Sequence, residues 1–372
     1  MGVLTVAVVA VPAQPLNVAS IYHRAANLNA ALFFVTSDNT TYVSTGDINA
    51  MYLRDSSIQA LSVLHNRRLV RGVIARQERL IILDPYANSF YSNYMVRERK
   101  FELDSLCYPV MLVAKYARAT GDRSVFDPPL WYELRAVLNI LEIEQNHAHS
   151  HYRHNEHHIG RGTGFIWSGF RPSDEPQSYN FNVPENMFAT VTLRVMARLF
   201  RDNYRDEEDA RRAEAVASAA EDAIERGAIF KTTFGRIYAY EVDGLGHAVF
   251  LDDANTPSLL SIPLLGYHAD PGVYAATRRF VLSRANPYYY EGRVASGIGS
   301  SHTPPGYVWP LALVVQYRTA RGQHERSTVL RELAGSSIGD GALHESFDVN
   351  DPHKFTRDNF GWVNALFVQT FR

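Results

Sequence analysis

One cysteine, Cys107, stands in 372 residues, which excludes an internal disulfide and a cysteine-based metal centre. Its neighbours Leu106, Tyr108, Pro109 and Val110 predict a buried thiol that packs as a small hydrophobe. Excess charge is also missing: 37 Lys and Arg against 39 Asp and Glu leave a net charge of −2. No run of like charge is present to attract nucleic acid or an anionic membrane, so neither is expected as a partner. No apolar run approaches the ~20 residues that a membrane-spanning helix needs. The apolar start from Met1 to Pro12 has the character of a signal-peptide core without the basic residues that precede one. Residues 1–15 are expected to be disordered or a remnant targeting segment. The compartment stays open, with cytoplasmic favoured over secreted, and the oligomeric state is not readable.

Strand patterns are scarce too. Arg236 to Val242 alternates well enough for a short strand, with His247 to Leu251 as hairpin partner across Gly244 and Gly246. Helical periodicity dominates instead. Val18, Ile21, Tyr22 and Ala25 mark a block at about 16–31, and Ile58, Leu61 and Leu64 continue another after the capping-type Arg54-Asp55-Ser56-Ser57. Leu106, Val110, Val113 and Ala117 define a third that Gly121 stops, and Pro128-Pro129 opens a fourth. Met187, Val191, Val195 and Leu199 step by four. Asp206 to Ile224, rich in Ala, Glu and Arg, reads as an amphipathic and largely exposed helix. Further blocks fall at about 257–266, 271–283, 309–320, 323–335 and 355–371. Eleven or twelve helices without a hydrophilic linker predict one all-α domain over residues 1–372, with helical hairpins closed into a toroid.

Six loops between these helices are dense in polar and aromatic groups. Trp167-Ser-Gly-Phe-Arg-Pro-Ser-Asp-Glu-Pro176 sets an indole, Arg171 and the adjacent acids Asp174 and Glu175 among helix breakers. Thr45 to Ser56 brings Asp47, Arg54 and Asp55, and Phe101 to Pro109 brings Glu102 and Asp104. Leu251 to Ser258 carries Asp252, Asp253 and Asn255, and Ser300 to Trp309 carries His302 and Trp309. Gly341 to Asp351 holds His344, Glu345, Asp348, Asn350 and Asp351. Any one loop could be ordinary N-cap chemistry. Six of them, in a toroid whose loops converge at one end, predict a single polar cavity. Carboxylates, amides and indoles without cationic excess suit a neutral polyhydroxylated ligand. Glycoside hydrolysis needs two carboxyl groups flanking the scissile bond, and composition does not choose the pair.

A histidine cluster competes for attention: His147, His149, His151, His154, His157 and His158, with Glu156 among them. Spacings of four could place two imidazoles on one helical face toward a metal. Asn155, Gly160 and Gly162 break any such helix, and the expectation is a solvated loop with no metal and no cofactor.

The loops also resemble a known family. Thr45-Gly-Asp-Ile-x-Ala-Met-Tyr-Leu-Arg-Asp-Ser-Ser57, Glu98 to Pro109 and Trp167 to Asp174 are similar to signatures of glycoside hydrolase family 125, the metal-independent exo-α-1,6-mannosidases. So are Leu251 to Leu259, His302-Thr-Pro with Trp309-Pro310, and Leu343-His-Glu-Ser-Phe347 with Asn350-Asp-Pro352, in the same order along nearly the whole chain. The resemblance implies an (α/α)₆ barrel and an inverting exo-hydrolase of non-reducing terminal α-1,6-linked mannose, on a simple mannoside or an N- or O-glycan. It implies Asp174 as general acid, with Glu175 the runner-up, and Glu345 as general base. Trp167, Arg171, Arg54, Asp55, Asp252, Asp253, Asn255, His302, Trp309 and Asn350 would then bind the sugar. A general acid must be protonated near neutrality, and burial against Trp167 is the expected cause for Asp174.

The chain departs from the family pattern in a short start before Asp47, a compressed segment between Phe90 and Val96, Arg97 at a position that tends to be Trp, and an abbreviated His-rich loop. The alternative reading is a non-catalytic or weakly active mannoglycan-binding homologue.

Overall fold

The computed structural model describes residues 17–337 and 341–372. The apolar N-terminal stretch expected to be disordered or a targeting remnant lies outside them. Among the described residues there are twelve helices: α1 Val18–Ala30, α2 Leu53–Leu61, α3 Arg67–Leu83, α4 Leu103–Thr120, α5 Pro128–Glu144, α6 Val183–Leu199, α7 Glu207–Gly227, α8 Ile262–Leu265, α9 Pro271–Val281, α10 Pro310–Thr319, α11 Gln323–Ser336 and α12 Gly361–Phe371. Local chemistry sets many of their ends. Side chains of Asn17, Asn66, Asp127, Asn182, Asp206 and Asp270 cap first-turn amides, and left-handed Gly121 ends α4.

Even-numbered helices form an inner ring. α12 packs on α2, α2 on α4, α4 on α6, α6 on α8, and α10 on α12. Odd-numbered helices lie outside, with α1 against α12, α3 against α5, α7 against α6 and α11 against α10. Burial follows this division. All nine residues of α2 are buried, whereas α7 buries mainly a stripe of Ala210, Ala213, Ala217, Ala220 and Ala223 and leaves its charged face to solvent. The architecture is the (α/α)₆ barrel that the sequence resemblance implies, and Cys107 is buried on α4 as expected.

Each of the six polar loops leads into the N-terminus of an inner helix, so all six gather at one end of the barrel. Three of these approaches are stapled by short antiparallel sheets. Met51–Tyr52 pairs with Ser89–Phe90, which pairs with Val96–Glu98. Phe181–Asn182 pairs with Glu241–Val242, which pairs with Ala248–Val249. Tyr307–Val308 pairs with Ser346–Asp348, which pairs with Asp351–Thr356.

Three expectations change. The expected hairpin exists only between Glu241–Val242 and Ala248–Val249, because Gly235–Tyr238 pairs instead with Ile229–Thr232. The helix expected at 257–266 shrinks to α8, since the Asp252 carboxylate takes the Leu259 and Leu260 amides at 2.8 and 2.9 Å and Ser258 and Ser261 bond each other. The last helix begins at Gly361, because Asp351–Thr356 is strand.

The contact between α3 and α5 encloses two carboxyls. Glu133 is 1% exposed and neither of its oxygens has a hydrogen-bond partner; burial, then Glu78 and Asp127, push it well above the usual range. Burial, aided by Asp127, pushes Glu78 up to about 8. The folded protein therefore holds protons that the unfolded chain releases, so stability falls as pH rises from the ordinary carboxyl range towards 8. Glu78→Gln should be near neutral at pH 5 and more stable than wild type at pH 9 by about 1–3 kcal/mol in urea unfolding.

Candidate active site

The gathered loops enclose a cavity of about 330 Å³. Its floor is Arg54, in the first turn of α2 and 3% exposed. The guanidinium lies 2.9 Å from Glu102 and 3.4 Å from Asp104, at the start of α4, and its Nε is 3.5 Å from Asp55. It also stacks over Trp362 of α12, 4.5 Å from the ring centre. One buried cation thus holds the first turns of three inner helices together. Asp55 accepts the Thr45 hydroxyl at 2.6 Å on one oxygen, while its Oδ2, buried at the cavity wall, makes no hydrogen bond. That oxygen faces the Arg54 Nε at 3.5 Å.

Asp174 forms one wall. It sits at φ +65° in a tight loop in which its N–H donates to the Arg171 carbonyl and the Arg171 N–H to the Glu175 carbonyl. The Asn88 amide donates 3.0 Å to Asp174 and 3.3 Å to Glu102. Burial works to raise the Asp174 carboxyl, but its hydrogen bond with Glu102 and the charges of Arg54, Lys100 and His302 outweigh it and hold Asp174 below the usual value. Glu102 goes the other way: burial, against Arg54 and reinforced by Asp174, pushes it well up. The two titrate as a pair.

Glu345 faces the same cavity from the segment entering the 346–348 strand, anchored by its N–H to the Thr356 carbonyl. It is 6% exposed, and burial raises its carboxyl, with Arg357 at 3.7 Å and His302 opposing.

Seven of the twelve residues singled out from sequence line the cavity: Arg54, Asp55, Asp174, Asn255, His302, Trp309 and Glu345. The other five are placed elsewhere. Trp167 is fully buried, stacked on His147 at 3.8 Å and on Phe101, so its burial does not act on Asp174 as expected. Arg171 is tied to Glu241 at 2.5 Å behind the loop. Asp253 accepts the Ser173 and Ser300 hydroxyls, bracing the two loops that present Asp174 and His302. Asp252 is spent on backbone amides, and Asn350 is an exposed turn residue bonded to Arg293. Glu175 pairs with His302 at 2.9 Å. Tyr52, Arg97, Lys100, Arg357, Phe360 and Trp362 also line the cavity and were not singled out as ligand-binding. Tyr52 and Lys100 fall inside motifs quoted above; Arg357, Phe360 and Trp362 follow the last motif and carried no local signal.

The histidine cluster is only partly solvated. His147 is sandwiched between Trp167 and the carboxylates of Glu144 and Glu156, while His149, His151, His154, His157 and His158 are exposed. Among the described residues, no three His, Cys, Asp or Glu side chains converge to hold a metal.

The sequence profile of the metal-independent α-mannosidases, glycoside hydrolase family 125, matches residues 18–95 and 91–372. The chain belongs to glycoside hydrolase family 125. As a family 125 protein it is a glycosidase of the α-mannosidase type, with a mannoside as substrate. The meiotically up-regulated gene 157 protein of Schizosaccharomyces pombe is 33% identical, the match spanning 88% of this chain and 75% of that protein. A family 125 metal-independent α-mannosidase of Streptococcus pneumoniae, in a non-productive complex with α-1,6-mannobiose, is 36% identical with a TM-score of 0.90, over 95% of this chain and 92% of its own. A bacterial glucoamylase bound to acarbose, 12% identical with a TM-score of 0.66 over 94% of this chain and 55% of its own, shares the fold alone.

Arg54→Met leaves Asp55, Glu102 and Asp104 without their shared cation. It should cost about 3–5 kcal/mol at pH 7.5 and less at pH 5, where these carboxyls take up protons, as urea unfolding at the two pH values would show.

Proposed function

We propose that this family 125 enzyme removes non-reducing terminal α-1,6-linked mannose with inversion, Asp174 acting as general acid and Glu345 as general base. The observation that carries this reading is that a single cavity presents both carboxyls, from different loops, to the same small space. Glu175, the runner-up acid, is engaged with His302 instead. A volume near the lower end of ligand cavities, roughly 300–1,000 Å³, favours a terminal sugar over the interior of a chain. The α-1,6 linkage is taken from the disaccharide in the Streptococcus pneumoniae complex, and N- or O-linked glycans are the natural class proposed.

In this mechanism the Asp174 proton passes to the glycosidic oxygen as the C–O bond breaks and its electron pair stays on the leaving alcohol. Glu345 takes a proton from a water that attacks the anomeric carbon from the opposite face, which requires the carboxyls to stand roughly 6.5–9.5 Å apart. Burial makes Glu345 a stronger base than a solvated glutamate, while Arg357 and His302 oppose that rise and favour its ionised form. Asp55, Asn255 and the indoles of Trp309 and Trp362 would hold the terminal ring.

With α-1,6-mannobiose followed by NMR, the first anomer released should be β-mannose; α-mannose would overturn inversion. Asp174→Asn and Glu345→Gln should each lower kcat by roughly 10²–10⁴-fold, and a variant near the wild-type rate removes that residue from its role. Activity should fall at low pH as Glu345 takes a proton. Arg357→Met removes a charge that favours the ionised form, so this acidic limb should move to higher pH.

A further inference from the structure

Asp174, the assigned acid, is the carboxyl that its surroundings hold down, while the proton is favoured on Glu102 beside it. Glu102 is fully buried at the start of α4 and does not line the cavity. The Asn88 side-chain amide nonetheless bridges the two carboxyls, donating 3.3 Å to Glu102 and 3.0 Å to Asp174. Charge favours sharing. A single guanidinium, Arg54, faces Asp55, Glu102, Asp104 and Asp174, and ionising one of two neighbouring carboxyls makes ionising the other harder.

We infer that Asp174 and Glu102 act as one proton-sharing pair, with Glu102 the positioning residue that keeps the catalytic proton available to Asp174 through neutral pH. This rests on Asp174 being the general acid. Ionisation of Glu102 beside a protonated Asp174 discourages Asp174 from losing its proton to water, so a carboxyl that would ionise readily alone remains a donor. Donation to the glycosidic oxygen leaves two adjacent carboxylates, stabilised by Arg54 and Asn88 until water returns a proton to the pair. The groups that face the pair define its surroundings: Tyr52 ahead of α2, Arg54 and Asp55 on α2, Lys100 and Asp104 around the start of α4, Tyr152 from the His-rich loop and His302 from the loop into α10.

The experiment compares kcat/KM against pH for wild type, Glu102→Gln, Asn88→Leu and Asp174→Asn, using α-1,6-mannobiose and α-mannosyl fluoride. Fluoride departs without protonation, so its hydrolysis does not call on the acid. In Glu102→Gln the repelling charge is gone and the new amide can donate to the Asp174 carboxylate. The alkaline limb for mannobiose should therefore move down by at least one pH unit, with a loss at pH 7 at least tenfold greater for mannobiose than for the fluoride. Asn88→Leu removes a donor to both carboxylates and should move the same limb up. An unmoved limb in a folded variant, shifts of the same sign in both, or equal losses on the two substrates would overturn the pair. If Glu102→Gln does not fold, the sign of the Asn88→Leu shift decides. The underlying reading fails separately: Asp174→Asn hydrolysing mannobiose near the wild-type rate removes Asp174 as acid however Glu102 behaves.

Discussion

The structure depends on placing one guanidinium, Arg54, where water does not reach and surrounding it with acids. A buried ion pair contributes little by itself, because desolvation offsets most of the Coulombic attraction, yet removing one partner is severe. Here the arrangement does more than pair charges. Arg54 belongs to α2, Glu102 and Asp104 to the start of α4, and the indole it covers to α12, so three neighbouring inner helices are fixed at the end where the loops meet. The cavity floor and the barrel seam are the same contact. Carboxyl crowding follows from this: burial pushes Asp104 up to about 6 and raises Asp55, each against the pull of Arg54.

Fold and site were legible in the sequence to different depths. Helix periodicity and the six loops before inner helices were readable because both are local patterns, and the loops are where Asp174, Glu345, Arg54, Asp55 and His302 meet. What the pattern could not separate was which polar residues face the cavity and which face the protein. Asp252 and Asp253 are adjacent in one motif, yet one holds backbone amides and the other braces two hydroxyls. Arg171 lies three residues before Asp174 and points back to Glu241. Facing direction is set by tertiary packing, to which spacing along the chain is blind. Strands of two or three residues leave almost no period to detect, so of the sheets beside the loops only the hairpin of Glu241–Val242 with Ala248–Val249 was foreseen. His147 shows the converse, a residue from a polar, glycine-rich stretch recruited as an aromatic partner of Trp167.

Reading the site as a family 125 glycosidase gives its electrostatics a purpose. The inverting mechanism proposed for it needs one carboxyl protonated and another ionised roughly 6.5–9.5 Å away, and burial alone would raise both. Their neighbours differ: burial raises Glu345 against the charges of Arg357 and His302, whereas Glu102, Arg54, Lys100 and His302 together hold Asp174 below the usual value. The contrast between the two carboxyls thus comes from what stands behind each group more than from the cavity itself.

The three-stranded staples have a further consequence for how such a barrel can diversify. Main-chain hydrogen bonds fix the strands, so the residues between them carry no burden of registering the wall. Between Ser89–Phe90 and Val96–Glu98 the connecting turn is short, and the family profile breaks and resumes at residues 91–95. A longer or shorter turn there would leave the pairing of Met51–Tyr52 with Ser89–Phe90 in place. The same chassis can therefore carry turns of different length without moving the wall that the paired strands hold.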